Sequence, residues 1–215
     1  MKRYLLCALL LAIAAGAPAQ DAINELKVRA DAGDRTATRQ LAEAYYIGRG
    51  VEQDNKQAAF WYEKLAKQGD VRAQTTLGLL YFRGVGLERN YELAYKWWSL
   101  AAARDPAAQF NLGNLFFEGK GVPVDPAKAA EWYAAAARKG HVQAQHDLGM
   151  LYYQGAGVTR DVPRAYMWVQ VAALQGDERA ELSLKRIAAD MTPAQIAEAK
   201  GLANEWISRL KKQLR

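Results

Sequence analysis

The chain of 215 residues carries 29 lysines and arginines against 23 aspartates and glutamates, a formal net charge of +6 that is spread along the sequence. Because there is no concentrated basic stripe, nucleic acid is a poor partner for it. Its one cysteine, Cys7, lies in the N-terminal segment. We therefore expect no disulfide, no cysteine-bound metal and no cysteine nucleophile in the rest of the chain.

Residues 1–19 have the three parts of an export signal. Residues 1–3 are a short basic start, residues 4–16 are apolar, and residues 17–19 provide small side chains for cleavage. About 13 apolar residues are too few to cross a bilayer, which needs roughly 20. We predict cleavage after Ala19, a mature chain that begins at Gln20, and a periplasmic or secreted location. An uncleaved membrane anchor is the alternative.

A motif that recurs four times, about 36 residues apart, occupies residues 37–177. Each copy opens with a leucine and a small residue and then reaches a Gly-x-Gly turn. The opening pairs are Leu41-Ala42, Leu77-Gly78, Leu112-Gly113 and Leu148-Gly149. The second glycines of the turns are Gly50, Gly86, Gly121 and Gly157. This period is typical of stacked helical units, so we predict an all-α solenoid of four helix-turn-helix repeats.

The second copy shows how one repeat is expected to fold. Ala73, Leu77 and Tyr81 mark one face of a first helix, and Gly78 beside them lets another helix backbone approach. Polar residues placed to cap the second helices are Asp54, Asn90, Asp125 and Asp161. A tryptophan recurs in the second helices, and we expect all four rings in the core: Trp61, Trp97, Trp132 and Trp168.

Helical caps are predicted at both ends of the array. Residues 20–36 have the features of the second half of a repeat, and residues 178–215 contain two further helices. The capping box at residues 192–195 opens the last helix. Such caps shield the apolar faces of the end repeats. The chain ends in a group of cations, Arg209, Lys211, Lys212 and Arg215, which interact favourably with the C-terminal end of a helix. The alternative is that they contact anionic lipid, which is the one route by which we expect the protein to touch a membrane.

The fourth copy resembles the SEL-one-like repeat family, α/α solenoids related to tetratricopeptide repeats. The residues that carry the resemblance are Leu148-Gly149, Tyr152-Tyr153, Gly155-Ala156-Gly157, Asp161, Ala165, Trp168 and Ala172-Ala173, and the third copy matches in the same register. The resemblance implies a right-handed superhelix that acts as an adaptor or assembly scaffold. Cysteine-rich relatives are linked to cell-wall antibiotic binding, but the matching cysteines are absent here.

A second stripe on the first helix of each copy is the candidate binding surface. At about 100° per residue, Thr75, Leu79 and Phe82 fall together, away from the core face. In tetratricopeptide proteins this stripe lines a concave groove. The candidate site is Arg39, Glu43, Tyr46, Thr75, Leu79, Phe82, Phe110, Asn114, Phe117, His146, Met150 and Tyr153. The aromatic residue that ends each set suits an extended peptide, and packing between repeats is the alternative.

The residues do not favour an enzyme. His141 and His146 are five positions apart, whereas zinc proteases place two histidines four apart with a glutamate between them. Neither a Gly-x-Ser-x-Gly elbow nor a phosphate-binding loop occurs in the sequence. We expect no metal and no cofactor, and we predict non-enzymatic binding of a peptide or protein. An envelope enzyme or cell-wall ligand binder, and a structural subunit that stacks through its ends, are the alternatives.

Overall fold

The computed structural model describes the backbone of residues 16–213 and the side chains of residues 20–212. The regular structure of this range is entirely helical, which confirms the predicted all-α class. The helices are α1 Gly16–Asp31, α2 Arg35–Ile47, α3 Asn55–Lys67, α4 Val71–Arg83, α5 Tyr91–Ala101, α6 Pro106–Glu118, α7 Pro126–Arg138, α8 Val142–Gln154, α9 Val162–Ala173, α10 Ala180–Ala188 and α11 Pro193–Gln213. The predicted signal lies outside the described residues, apart from the backbone of residues 16–19 in α1.

Local capping explains where the helices begin and end. The side chain of Asp34 accepts hydrogen bonds from the N–H groups of Thr36 and Ala37 at the start of α2. The same helix ends at Gly48, whose φ of 71° is the left-handed conformation that glycine adopts at little cost. The predicted caps of the second helices are confirmed, since each accepts a backbone N–H: Asp54, Asn90, Asp125 and Asp161.

The two helices of each repeat pack as a hairpin, in the pairs α2–α3, α4–α5, α6–α7 and α8–α9. The chain divides into two compact units, Met1–Ala101 and Ala102–Arg215. Within the first unit, α1 also packs on α2, and α3 packs on α4. Within the second unit, α7 packs on α8, and α9 contacts both α10 and α11. Each unit is therefore built from helix hairpins with one or two further helices.

The glycine that follows the opening leucine accommodates an aromatic ring of the second helix. A Cβ atom at Gly78 would lie 2.5 Å from Nε1 of Trp98, and one at Gly113 would lie 2.5 Å from Cδ1 of Tyr133. A helix backbone was expected at this point, but in these two repeats a ring fills the space. A backbone approach occurs in the fourth repeat, where a Cβ at Gly149 would lie 2.9 Å from the carbonyl oxygen of Ala165.

Burial of the recurring tryptophan differs between the repeats. Trp61 and Trp168 are buried, whereas Trp97 and Trp132 are only half-buried. Trp97 still packs against the core, so the prediction of four fully buried rings holds for two of them. The residue that follows the tryptophan is buried in every repeat: Tyr62, Trp98, Tyr133 and Val169. This position faces the first helix of its own hairpin, and in the second, third and fourth repeats it is the deeper of the two.

The C-terminal helix α11 covers the last complete hairpin. The ring of Trp206 meets Trp168 of α9 edge to face, with ring centroids 4.9 Å apart. The predicted capping box is confirmed: Thr192 N–H donates to Gln195 Oε1 at 2.9 Å, and Gln195 N–H donates to Thr192 Oγ1 at 3.3 Å. Of the helices in the described range, none is long and apolar enough to cross a membrane.

Candidate functional site

The predicted binding residues form four short stripes, one on the first helix of each repeat. The stripes of α2 and α4 belong to the first unit, and those of α6 and α8 to the second. Glu43 and Phe117 are exposed, and His146 is buried with 7% of its surface accessible. The remaining members are half-buried: Arg39, Tyr46, Thr75, Leu79, Phe82, Phe110, Asn114, Met150 and Tyr153. Most residues of the stripes are therefore partly covered by neighbouring side chains and partly accessible to solvent.

In the first and third repeats, the first residue of the stripe contacts the residue that caps the next repeat. Arg39 donates a 2.5 Å hydrogen bond to the carboxylate of Asp70, which caps α4. Burial acts to raise the pKa of Asp70, but the Ala73 N–H and the Arg39 guanidinium together hold this pKa below its usual value. In the second unit, Phe110 stacks on His141, the cap of α8, with ring centroids 4.6 Å apart. Arg39 and Phe110 therefore join consecutive repeats.

In the second and third repeats, the buried aromatic residue of the second helix donates a hydrogen bond to a residue of the stripe. Tyr133 donates a 2.6 Å hydrogen bond from its hydroxyl to Oδ1 of Asn114. In the second repeat, Nε1 of Trp98 donates to the carbonyl oxygen of Thr75 at 3.0 Å. The polar tips of these buried rings therefore reach the stripe. These contacts were not predicted from the sequence, although the aromatic residue that follows the tryptophan in the first three repeats was a usable signal.

The aromatic residues that end the stripes are not equivalent. Tyr46 packs edge to face on Tyr62, with centroids 6.2 Å apart, and Phe82 packs on Trp98 at 5.6 Å. Two guanidinium groups lie over the ring of Tyr153. The Cζ atoms of Arg160 and Arg186 are 5.5 Å and 5.6 Å from the ring centroid. The ring of Phe117 is the exposed one, with 44% of its surface accessible.

His146 joins the fourth repeat to α10 through both ring nitrogens. Its Nδ1 lies 3.0 Å from Asp147 Oδ1, and its Nε2 lies 2.9 Å from Ser183 Oγ. The connectivity is that of a Ser–His–Asp triad, but the ring is buried, and Asp147 Oδ1 also accepts a bond from Arg179. From the sequence, His146 was predicted to belong to the binding stripe. In the structure, His146 is instead buried against α10, and its hydrogen-bond partner Ser183 belongs to this helix beyond the repeats.

Two open cavities lie beside Gly-x-Gly turns, one in each unit. The cavity of the first unit has a volume of about 680 Å³ and is lined by residues that include Tyr45, Asp54 and Gly86. The cavity of the second unit has a volume of about 630 Å³. Its charged groups are paired, Arg160 with Asp190 at 2.7 Å and Arg164 with Asp161 at 3.3 Å. Neither cavity includes a predicted binding residue.

Comparison with known proteins gives the same family for all four repeats. The family model of the Sel1 repeat matches residues 36–70, 71–105, 106–141 and 142–177. The structure of c5321, a protective antigen of uropathogenic Escherichia coli with an SLR fold, is 36% identical with a TM-score of 0.80, and the alignment covers 89% of this chain and 42% of that one. A Sel1 repeat protein from Oxalobacter formigenes is also 36% identical, with a TM-score of 0.68 and coverage of 78% and 49%.

A third relative is similar to this chain in sequence over a short segment. The chitin synthase regulator SKT5 of Saccharomyces cerevisiae is 38% identical over 69 residues, which is 31% of this chain and 10% of the yeast protein. The chain thus spans less than half the length of all three relatives. Sel1 repeats generally serve as modules for protein–protein interaction. Since four consecutive matches occupy residues 36–177, the chain belongs to the Sel1 repeat family.

Proposed function

We propose that this protein is an exported, non-enzymatic adaptor or assembly scaffold, and that it binds a peptide or protein partner through the stripes of its first helices. The observation that carries the proposal is the run of four Sel1 repeats, because repeats of this family are interaction modules. The periplasmic or secreted location is part of the proposal and rests on the signal-like residues 1–19.

The third repeat offers the best anchoring point for such a partner. Phe117 is exposed at the end of its stripe, and Val124 in the following turn is 64% accessible. The residues in the position of Val124 in two other repeats, Gln53 and Arg160, donate to the carbonyl oxygens of Tyr46 and Tyr153. A valine side chain has no donor to make this bond. The exposed Pro123 and Val124 are apolar where the other repeats carry polar side chains, and with Phe117 they form an apolar patch. Such patches often mark interaction sites.

An affinity capture from envelope extract, with matched variants, tests this proposal. The variant Phe117→Ala removes the exposed ring, and Phe60→Ala is the control because Phe60 is a similarly exposed ring, 54% accessible, on the second helix α3. We expect a partner to be captured by the wild type and by Phe60→Ala but to be lost from Phe117→Ala, with unchanged circular dichroism in all three. Equal capture by both variants would rule out the stripe of the third repeat as the binding surface.

A further inference from the structure

The stripe of the first repeat differs from the others by a charge at its centre. Glu43 occupies the position that Leu79, Asn114 and Met150 hold in the later repeats. Its carboxylate is exposed and forms no ion pair within the described part of the chain. Arg39, one turn earlier on α2, does not neutralise it, because its guanidinium is held by Asp70 at 2.5 Å. The stripe therefore presents an exposed carboxylate that has no ion-pair partner among the described residues.

A buried tyrosine of α3, Tyr62, lies within reach of the charge of this carboxylate. Glu43 and Tyr62 have the same register as Asn114 and Tyr133, which close on each other through a 2.6 Å hydrogen bond. In the first repeat, no such bond joins the two side chains, and the Tyr62 hydroxyl has no partner among the described residues. Burial, followed by the nearby charge of Glu43, raises the pKa of Tyr62 to about 12. The hydroxyl thus stays protonated, with its oxygen free to accept a bond.

The ring of Tyr46 completes the arrangement. It follows Glu43 by three residues on α2, so both side chains lie on the same face of the helix. It packs edge to face on Tyr62 at an interplanar angle of 78°, and it remains half-buried. A carboxylate, a hydroxyl oxygen and an aromatic ring are therefore grouped on one stripe of the first unit.

We propose that Glu43, Tyr46 and Tyr62 form a cation subsite that binds the side chain of a lysine or arginine in the partner. This inference rests on the proposed binding function and specifies the chemistry of the partner. The carboxylate offers a charge-assisted hydrogen bond to an ammonium or guanidinium group, and the tyrosine ring attracts the same cation through its π face. An acidic partner segment is repelled by Glu43, and an aliphatic one leaves the carboxylate without a partner.

Selection of peptides from a random display library tests the subsite. The bait is the chain expressed from its full sequence, and each selected peptide is then titrated against the wild type, Glu43→Gln, Glu52→Gln and Phe117→Ala. The glutamine at residue 43 keeps the size of the side chain and removes its charge. Glu52 is a matched control because it is an equally exposed glutamate of the same repeat that lies in the turn, away from the stripe. Circular dichroism of each variant checks that the fold is unchanged.

We expect the selected peptides to be enriched in lysine and arginine and to bind Glu43→Gln about tenfold more weakly, while Glu52→Gln binds like the wild type. Peptides that lose affinity for Phe117→Ala but not for Glu43→Gln would overturn the cation subsite and leave the proposed binding function standing. If no selected peptide responds to any stripe variant, both the subsite and the stripe as a peptide-binding surface are wrong.

Discussion

At the scale of single residues, the small residue after the opening leucine determines how closely a hairpin packs. Gly113 lies in the interior of α6, where its missing side chain admits the ring of Tyr133. Because Tyr133 is 97% buried by its neighbours, with 3% of its surface accessible, the ring has little room to move. The glycine is therefore required by packing, although alanine is the better helix former.

Replacement by alanine is expected to have opposite effects on stability at Gly113, which is tightly packed, and at Gly201, which is not. We expect Gly113→Ala to lower the free energy of unfolding by about 1–3 kcal/mol, the usual cost of overpacking a core. Gly201→Ala in α11, where no atom lies within 4 Å of the added Cβ, should raise it by about 0.5–1 kcal/mol. Urea denaturation measures both. A stable Gly113→Ala variant would show that Tyr133 can leave its position without cost.

His141 introduces a pH dependence into the junction between the third and fourth repeats. It caps α8 by accepting a hydrogen bond from the Ala144 N–H at Nδ1, and this requires a neutral ring. Burial lowers the pKa of His141, against the opposing charges of Asp105 and Asp147. Because the unfolded chain then takes up this proton more readily than the folded one, the contribution to stability is present above the ordinary histidine pKa and is lost as the pH falls below it.

Replacement of His141 by aspartate isolates this effect. Asp34, Asp70 and Asp105 cap the first helices of the other repeats, so His141→Asp is expected to preserve the cap. Between about pH 7 and pH 5, the free energy of unfolding should fall more steeply for the wild type than for the variant. Chemical denaturation at a series of pH values checks this. Parallel curves would show that the His141 ring has the same pKa in the folded and unfolded chains.

At the scale of helices, the fourth repeat is joined to α10 by a polar contact. His146 of α8 and Ser183 of α10 meet at 2.9 Å, and Arg179, just before α10, pairs with Asp147 at 3.1 Å. In a catalytic triad, the serine and its histidine base must be accessible to a substrate. Here the His146 ring is buried, and Asp147 is paired with the guanidinium of Arg179. We therefore assign this group of residues to the attachment of α10.

The substitution Ser183→Ala distinguishes attachment from catalysis. We expect it to lower the free energy of unfolding by about 1 kcal/mol, because it leaves Nε2 of the buried His146 without its partner. We also expect no reaction of the wild type with a fluorophosphonate probe, which labels activated serines. Labelling that disappears in Ser183→Ala would instead identify Ser183 as a nucleophile, and the enzyme alternative would then be favoured.

At the scale of the whole molecule, the proposed export predicts the mass of the mature protein. Cleavage after Ala19 removes the first residues of α1 but retains Ile23, Leu26 and Ala30, which are the buried residues among the described side chains of this helix. We expect intact mass spectrometry of the periplasmic fraction to find residues 20–215. A full-length chain in the membrane fraction would indicate the uncleaved anchor.

The helical fold was predictable because its signals are local. The caps at Asp54, Asn90 and Asp161 act on N–H groups two or three residues away, and the helical period of apolar residues is visible in any one repeat. The candidate site was predictable only as a helix face. Its position on that face predicts nothing about whether Phe117 is exposed or His146 is buried.

By itself, the sequence determined the repeat, the helices and their ends, since a 36-residue period and the capping residues require only local hydrogen bonds and burial on one face. The tertiary structure decided which side chains of the stripes remain available. Arg39 is engaged by Asp70, 31 residues away, and His146 by Ser183, 37 residues away, whereas Glu43 has no ion-pair partner among the described residues. The physical reason is that availability depends on the chemistry of the neighbouring helix, which the spacing within one repeat does not contain.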